Sequence, residues 1–176
     1  SNRSKKNFKT INCIEKNTEQ LEIDFFGKEI NQKIEVPGIL DEANGGTVLI
    51  KNFHLISKKI QGKLLRILME KKYHRIGSIT SKQVDLRIIA NTHLNLSEIK
   101  ASKMIRDDLL KKLNFSNILI PSLSERKDDI CDLVNIFLDE IIKKNNLNNK
   151  NFSTDALDFF SSQNCIDNVS QLKRLI

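Results

Sequence analysis

Residues 38–52 read GILDEANGGTVLIKN, and the reading of this stretch decides the fold. Behind the chain break at Gly45 and Gly46, residues 47–50 (TVLI) form a short, uninterrupted apolar run. Such a run after a Gly-Gly turn suits a strand buried on both faces, as in the middle of a parallel sheet. Residues 38–43 ahead of it suit one or two helical turns. Behind it Ser57 supplies a helix N-cap, and residues 57–72 (SKKIQGKLLRILMEKK) put Ile60, Leu64, Leu65, Ile67 and Leu68 on one face. Lys58, Lys59, Lys63, Arg66 and Lys71 lie mostly elsewhere, so a strand is followed by an amphipathic helix.

Working outward, residues 8–13 (FKTINC) predict a strand and residues 18–26 (TEQLEIDFF) a helix, joined to the central stretch by a polar connector over 30–36. Downstream, residues 73–79 and 83–84 pair as a small hairpin, and LRIIA at 86–90 reads as a second buried strand. A polar helix or turn from Leu96 leads into a helix over 104–113, and NILI at 117–120 predicts a further strand closed by Pro121. Strands alternating with helices at this spacing indicate an α/β sheet. Beyond Leu123 only helices are expected, over 125–144, 154–162 and 168–176, with an Asn-rich loop at 145–151. The expected domains are an α/β core over 1–123 and a helical subdomain over 124–176.

At 176 residues, 39% hydrophobic and 29% charged, the chain has the balance of an ordinary globular domain. No apolar run approaches the roughly 20 residues of a membrane span, and no signal layout opens the chain, so the expectation is a cytoplasmic protein with no membrane partner. The net charge of +7 raises nucleic acid as a partner. Its lysines are scattered among asparagines rather than gathered on one recognition helix, which favours a solvated surface. Cys13, Cys131 and Cys165 are odd in number and far apart, and His54, His74 and His93 form no paired motif, so neither a disulfide framework nor a zinc site is expected.

Four segments then carry a resemblance: GILDEANGGTVLI, QGKLLRILMEKKYHRIG, VDLRIIANTHLNL and IRDDLLKKLNFSNILIPSLSERKDDI. In this order they resemble the AAA+ central domain of sigma-54-dependent response regulators, with FFGKE at 25–29 in place of the family's Leu-Phe-Gly-His-Glu. Residues 1–3 and the closing DNVSQLKRLI are similar to flanking segments of the same domain. The resemblance implies a P-loop NTPase-like parallel sheet flanked by helices, with a C-terminal all-helical lid. The family's first strand and P-loop are not in this chain. Because that loop and its Lys cradle the β- and γ-phosphates, the resemblance implies no bound cofactor for this segment alone and leaves ATP to the full-length protein.

Where the family has Asp-Glu after the strand here written TVLI, this chain has Lys51 and Asn52. The Asp helps hold Mg²⁺ and the Glu orients the attacking water; an ammonium ligates no cation and an amide takes up no proton. The family's sigma-54-contacting Gly-Ala-Phe-Thr-Gly-Ala loop falls in the interval occupied by INQKIEVP, which is several residues too short and reads as an ordinary surface turn. His93 takes the position of the sensor-I Asn, with a phosphate contact and a structural role both open. Arg106 and Lys112 match the intersubunit arginines, and Lys112 lacks the planar fork that grips phosphate. Ser170 replaces the sensor-II Arg. The expected function is a degenerate AAA+ module of the NtrX-like branch, linking or oligomerising a receiver and a DNA-binding domain. The alternative is an active sigma-54-activator ATPase. Implied partners are further copies through AAA+ faces, a cognate histidine kinase, and DNA through another domain.

Overall fold

The computed structural model describes residues 2–14, 16–31, 33–113, 117–148, 150–162 and 168–176. Ser1, Asn149 and Cys165 lie outside the described residues. The chain divides into two units, Ser1–Asn117 and Ile118–Ile176, with the boundary ahead of the expected 123/124.

In chain order the first unit contains strand β1 (Phe8–Asn12), helix α1 (Thr18–Phe26), strands β2 (Lys28–Ile30) and β3 (Lys33–Val36), helix α2 (Ile39–Glu42) and strand β4 (Thr47–Lys51). Helix α3 (Lys58–Glu70), strands β5 (Lys72–Tyr73), β6 (Lys82–Gln83) and β7 (Arg87–Ala90), and helices α4 (Leu96–Ser102) and α5 (Asp107–Leu113) follow. The second unit contains α6 (Asp129–Asn145), α7 (Thr154–Ser162) and α8 (Asn168–Leu175).

β4 is the middle strand of a parallel sheet in the order β1-β4-β7. Thr47 aligns with Phe8 on one side and Arg87 on the other. This is why its run is apolar throughout: Thr47, Val48 and Ile50 are buried, and only Lys51 at the end is exposed. Helices pack on the sheet through Phe25, Phe26, Leu40, Ile60, Leu64 and Leu109, each at most 1% exposed. Every such side chain contributes about 1.5–3 kcal/mol by leaving water. The caps follow local chemistry. Asn17 accepts from the Gln20 N–H at 2.8 Å to start α1, and Ser57 from the Ile60 N–H at 3.4 Å to start α3. In the second unit, α6, α7 and α8 close around Leu123, Ile130, Val134, Phe137, Phe160 and Leu172.

The connector over 30–36 is not a simple turn. β2 and β3 pair antiparallel as a hairpin, with Ile30 opposite Lys33. The chain enters it at Gly27, at φ +73°, and leaves at Gly38. A Cβ on Gly38 would lie 2.4 Å from the Gly27 nitrogen and 2.6 Å from the Phe25 carbonyl oxygen. Both obstacles are backbone. Gly38→Ala should therefore lower stability by about 3 kcal/mol through overpacking, read as a lower urea midpoint at an unchanged slope.

Several boundaries also differ from the sequence reading. The small hairpin is β5 with β6, aligned Lys72 with Gln83 and Tyr73 with Lys82, one residue earlier than expected. α5 begins at Asp107, because the Met104 carbonyl and Arg106 N–H are bound by a side chain of α3 instead of the helix ladder. Leu123–Glu125 is a 3-10 turn in which Glu125 bonds back to the Ser122 N–H at 2.7 Å, so α6 starts only at Asp129. Residues 117–120 form no strand. Ile118, Leu119 and Ile120 are 82%, 81% and 73% exposed. An apolar run becomes a strand only beside a partner that takes its backbone hydrogen bonds, and none pairs with it among the described residues.

Candidate functional site

The C-terminal ends of the three parallel strands gather Lys51, Asn52 and His93, at the sheet edge where α/β folds place ligands. Backbone hydrogen bonds hold these ends together. The Cys13 N–H donates to the Lys51 carbonyl at 3.1 Å, Asn91 to Ile50 at 2.9 Å, and Phe53 to Asn91 at 2.9 Å. Asn52 sits in the left-handed region at φ +55°, a conformation that Asn tolerates better than most residues. This turns its amide towards β1, where it donates to Asn12 Oδ1 at 2.8 Å. Lys51 is exposed and lines a groove of about 510 Å³ together with Lys9, Asn12, Lys16, Asp24 and Glu42. The two carboxylates there are already occupied, Asp24 by Lys16 and Glu42 by Lys9 at 2.7 Å.

The donor set does not fit a divalent cation. A lysine ammonium and an amide committed to Asn12 stand at the strand end, and among the described residues no three His, Cys, Asp or Glu side chains converge as metal ligands.

Next to Asn52, His54 extends from a 3-10 turn, Phe53–Leu55, and is buried. Its Nδ1 lies 3.0 Å from Thr92 Oγ1. That oxygen also accepts from the Leu94 N–H at 3.1 Å. His93 is exposed and meets His54 edge to face, with ring centroids 4.6 Å apart. Burial, and secondarily the neighbouring His93, hold the His54 pKa below its ordinary value. Its neutral form is thereby favoured. The structure therefore joins His93 to Lys51 and Asn52 through the shared strand ends and His54.

The remaining positions are not brought into this group. The Arg106 guanidinium is bound by Asp108 at 3.1 and 2.7 Å, and that hydrogen bond holds the Asp108 carboxyl down at about 2. Lys112 is exposed in the last turn of α5. No hydrogen bond or ion pair joins either residue to His93 or Lys51 among the described residues. Ser170 is exposed on α8 of the second unit.

Two polar constructions escaped the sequence reading. Gln61 is fully buried in α3; its Nε2 donates to the Ile56 and Met104 carbonyls at 2.9 and 2.8 Å, and its Oε1 accepts from the Arg106 N–H at 2.8 Å. Its position between Ile60 and Leu64, inside the apolar stripe, was the available signal. Arg75, 5% exposed, grips Asp41 by two bonds of 3.0 and 2.8 Å and reaches Glu29 at 3.4 Å. Tyr73 also donates to Asp41, and Ser78 to Glu29 at 3.1 Å. The network ties the hairpin and α2 to the segment after β5. Nothing in the local pattern of YHRIG marks its Arg as buried.

The profile of the sigma-54 interaction domain family matches residues 1–119. The nitrogen assimilation regulatory protein NtrX of Azorhizobium caulinodans is 36% identical over 94% of this chain and 37% of its own length. The alginate biosynthesis transcriptional regulatory protein AlgB of Pseudomonas syringae pv. tomato is 32% identical over all of this chain and 40% of its own. The chain thus spans about two fifths of these curated relatives. Among solved structures, NtrX from Brucella abortus in complex with ADP superposes with a TM-score of 0.89 at 29% identity, over 98% of this chain and 38% of that one. Hsp104 of S. cerevisiae, at 16% identity and a TM-score of 0.64, covers 96% of this chain and 34% of its own and shares the fold.

Proposed function

This chain belongs to the sigma-54 interaction domain family of AAA+ transcriptional regulators, NtrX-like in kind, and from that premise we propose that it is a regulatory linking and oligomerising module without ATP hydrolysis. The observation that carries this reading is the end of β4, where Lys51 and Asn52 stand in place of two carboxylates and the Asn52 amide is spent on Asn12. A second observation agrees with it: the interval expected to contact sigma-54 is the closed hairpin β2/β3. In a full-length protein the module would set the geometry between a receiver domain and a DNA-binding domain, and would associate with further copies through its AAA+ faces.

Nucleotide binding without turnover is compatible with this arrangement. The Brucella abortus NtrX was solved in complex with ADP and in complex with ATP. In this chain Lys51 would offset phosphate charge where the family uses Mg²⁺. The full-length protein is expected to show no phosphate release above background, and any ATP binding is expected to be unchanged by EDTA. Steady-state turnover that disappears when the P-loop Lys is replaced would establish the active ATPase instead.

A further inference from the structure

Three of the lysines that look scattered in the sequence come to one cleft. Lys59, Lys63 and Arg66 follow one another at i, i+4 and i+7 along α3 and so share a face of the helix. Lys72 and His74 come to the same cleft from β5 and the residue beyond it. The cleft has a volume of about 330 Å³, with Phe26, Tyr73 and Ile76 among the residues that line it. The sole carboxylate lining it is Glu22, and that group is already held by Lys59 at 2.8 Å and Lys63 at 2.6 Å. Lys63 also lies over the Phe26 ring, 4.7 Å from its centroid. Arg66 makes a solvent-exposed pair with Glu70 at 3.1 Å, the kind of pair that contributes little. Among the described residues Lys72 makes no ion pair. The second unit, in contrast, carries more acidic than basic residues, so the excess positive charge belongs to the unit that holds this cleft.

We propose that this cleft docks an acidic peptide segment of a partner protein, in which carboxylates flank an apolar side chain. The carboxylates meet Arg66, Lys72 and the outer hydrogens of the two Glu22-bound lysines. The apolar residue lies on Ile76 and on the methylene stems of Lys59 and Lys63, whose heads stay wet while their stems cover apolar surface. Shape separates this partner from nucleic acid. A phosphate backbone needs an open strip of cations and no apolar floor, whereas a pocket of this size admits one or two side chains and supplies apolar contact beneath a charged rim. The surface is independent of the strand ends where nucleotide chemistry is argued, so it stands whether or not the protein hydrolyses ATP.

The test is fluorescence anisotropy of a labelled twelve-residue peptide, two repeats of Asp-Leu-Glu-Glu-Leu-Asp, titrated with the full chain at low salt. Saturable binding is expected, falling about tenfold when salt is raised to physiological strength, as charge-steered contacts do. Arg66→Glu with Lys72→Glu, which leaves Glu22 and both of its lysines in place, should weaken binding at least about tenfold while leaving the unfolding midpoint unchanged. Replacing all four Leu residues of the peptide by Ser should weaken it several-fold. Absence of binding at low salt overturns the proposal, as does equal binding by the double variant or by the Ser peptide. Tighter binding of a twelve-base-pair DNA duplex than of the peptide overturns it in favour of a nucleic-acid surface.

Discussion

Replacing Arg75 by Met is expected to destabilise the first unit by about 3–5 kcal/mol, the usual cost of removing one partner from a buried ion cluster. The guanidinium is shielded from water and holds Asp41 by two bonds and Glu29 by a third. Met is close to it in volume, so the loss comes from Glu29 left without its cation and Asp41 left with only the more distant Lys82, 3.9 Å away, rather than from a cavity. The pH dependence separates the two causes. Burial pushes the Asp41 carboxyl up, but hydrogen bonds from Arg75, Tyr73 and the Gly38 amide outweigh it and leave the pKa below the ordinary value. A depressed carboxyl contributes stability above its unfolded pKa, near about 4, and loses that contribution as pH falls through its folded value. Without Arg75 only the Tyr73 and Gly38 bonds and the distant Lys82 oppose burial, so the depression of the Asp41 pKa shrinks and protonation relieves the carboxylate at higher pH. The penalty for Arg75→Met should thus be large near neutral pH and shrink markedly by about pH 3, measured as urea midpoints across that range. A penalty constant with pH would mean that packing, not charge, holds the residue.

Gln61→Leu should cost a similar amount, about 3–5 kcal/mol, although it puts an apolar side chain of comparable size into an apolar stripe. The reason is the number of partners. One amide satisfies two carbonyls and one N–H, in the turn before α3 and in the segment entering α5. Leucine leaves all three backbone groups without that bond, the Ile56 carbonyl buried and the other two partly buried, each costing at most about 1–3 kcal/mol before relaxation. Gln61→Glu offers an instructive contrast: it retains the acceptor for the Arg106 N–H but places a carboxylate against two carbonyl oxygens. Hydrogen exchange of the amides around Met104 to Arg106 should rise in Gln61→Leu while those of β4 change only with global stability. Unchanged protection there would sink the assignment.

The parts of the fold set by periodicity were legible. The apolar run of β4, the stripe of α3 and the limits of α1 depend on local pattern and caps, and the structure places them where the pattern does. Residues 117–120 have the same apolar character as β4 and form no strand, because pairing depends on a neighbour and no local pattern reports one. The hairpin β2/β3 reads as a polar connector because it carries no core-facing apolar alternation; Ile30, Ile34 and Val36 are all exposed in the structure. At the candidate site, the substitution of Lys51 and Asn52 is visible in the sequence alone. Their consequence, an Asn52 amide turned onto Asn12, depends on the left-handed backbone at the strand end. Gln61 and Arg75 mark a further limit: both act through groups distant in sequence, Gln61 chiefly through those around Met104 and Arg106, and Arg75 through Asp41 and Glu29.

The near contact of Gly27 with Gly38 also makes the intervening hairpin a plug on a pinched neck. Its two ends are clamped backbone to backbone and Glu29 is tied to Arg75, so the residues beyond Glu29 can be lengthened, shortened or exchanged without the sheet registering the difference, since closing a longer loop costs only about 0.6 kcal/mol per doubling. A domain pinched in this way can shed one protrusion and grow another while its framework stays the same.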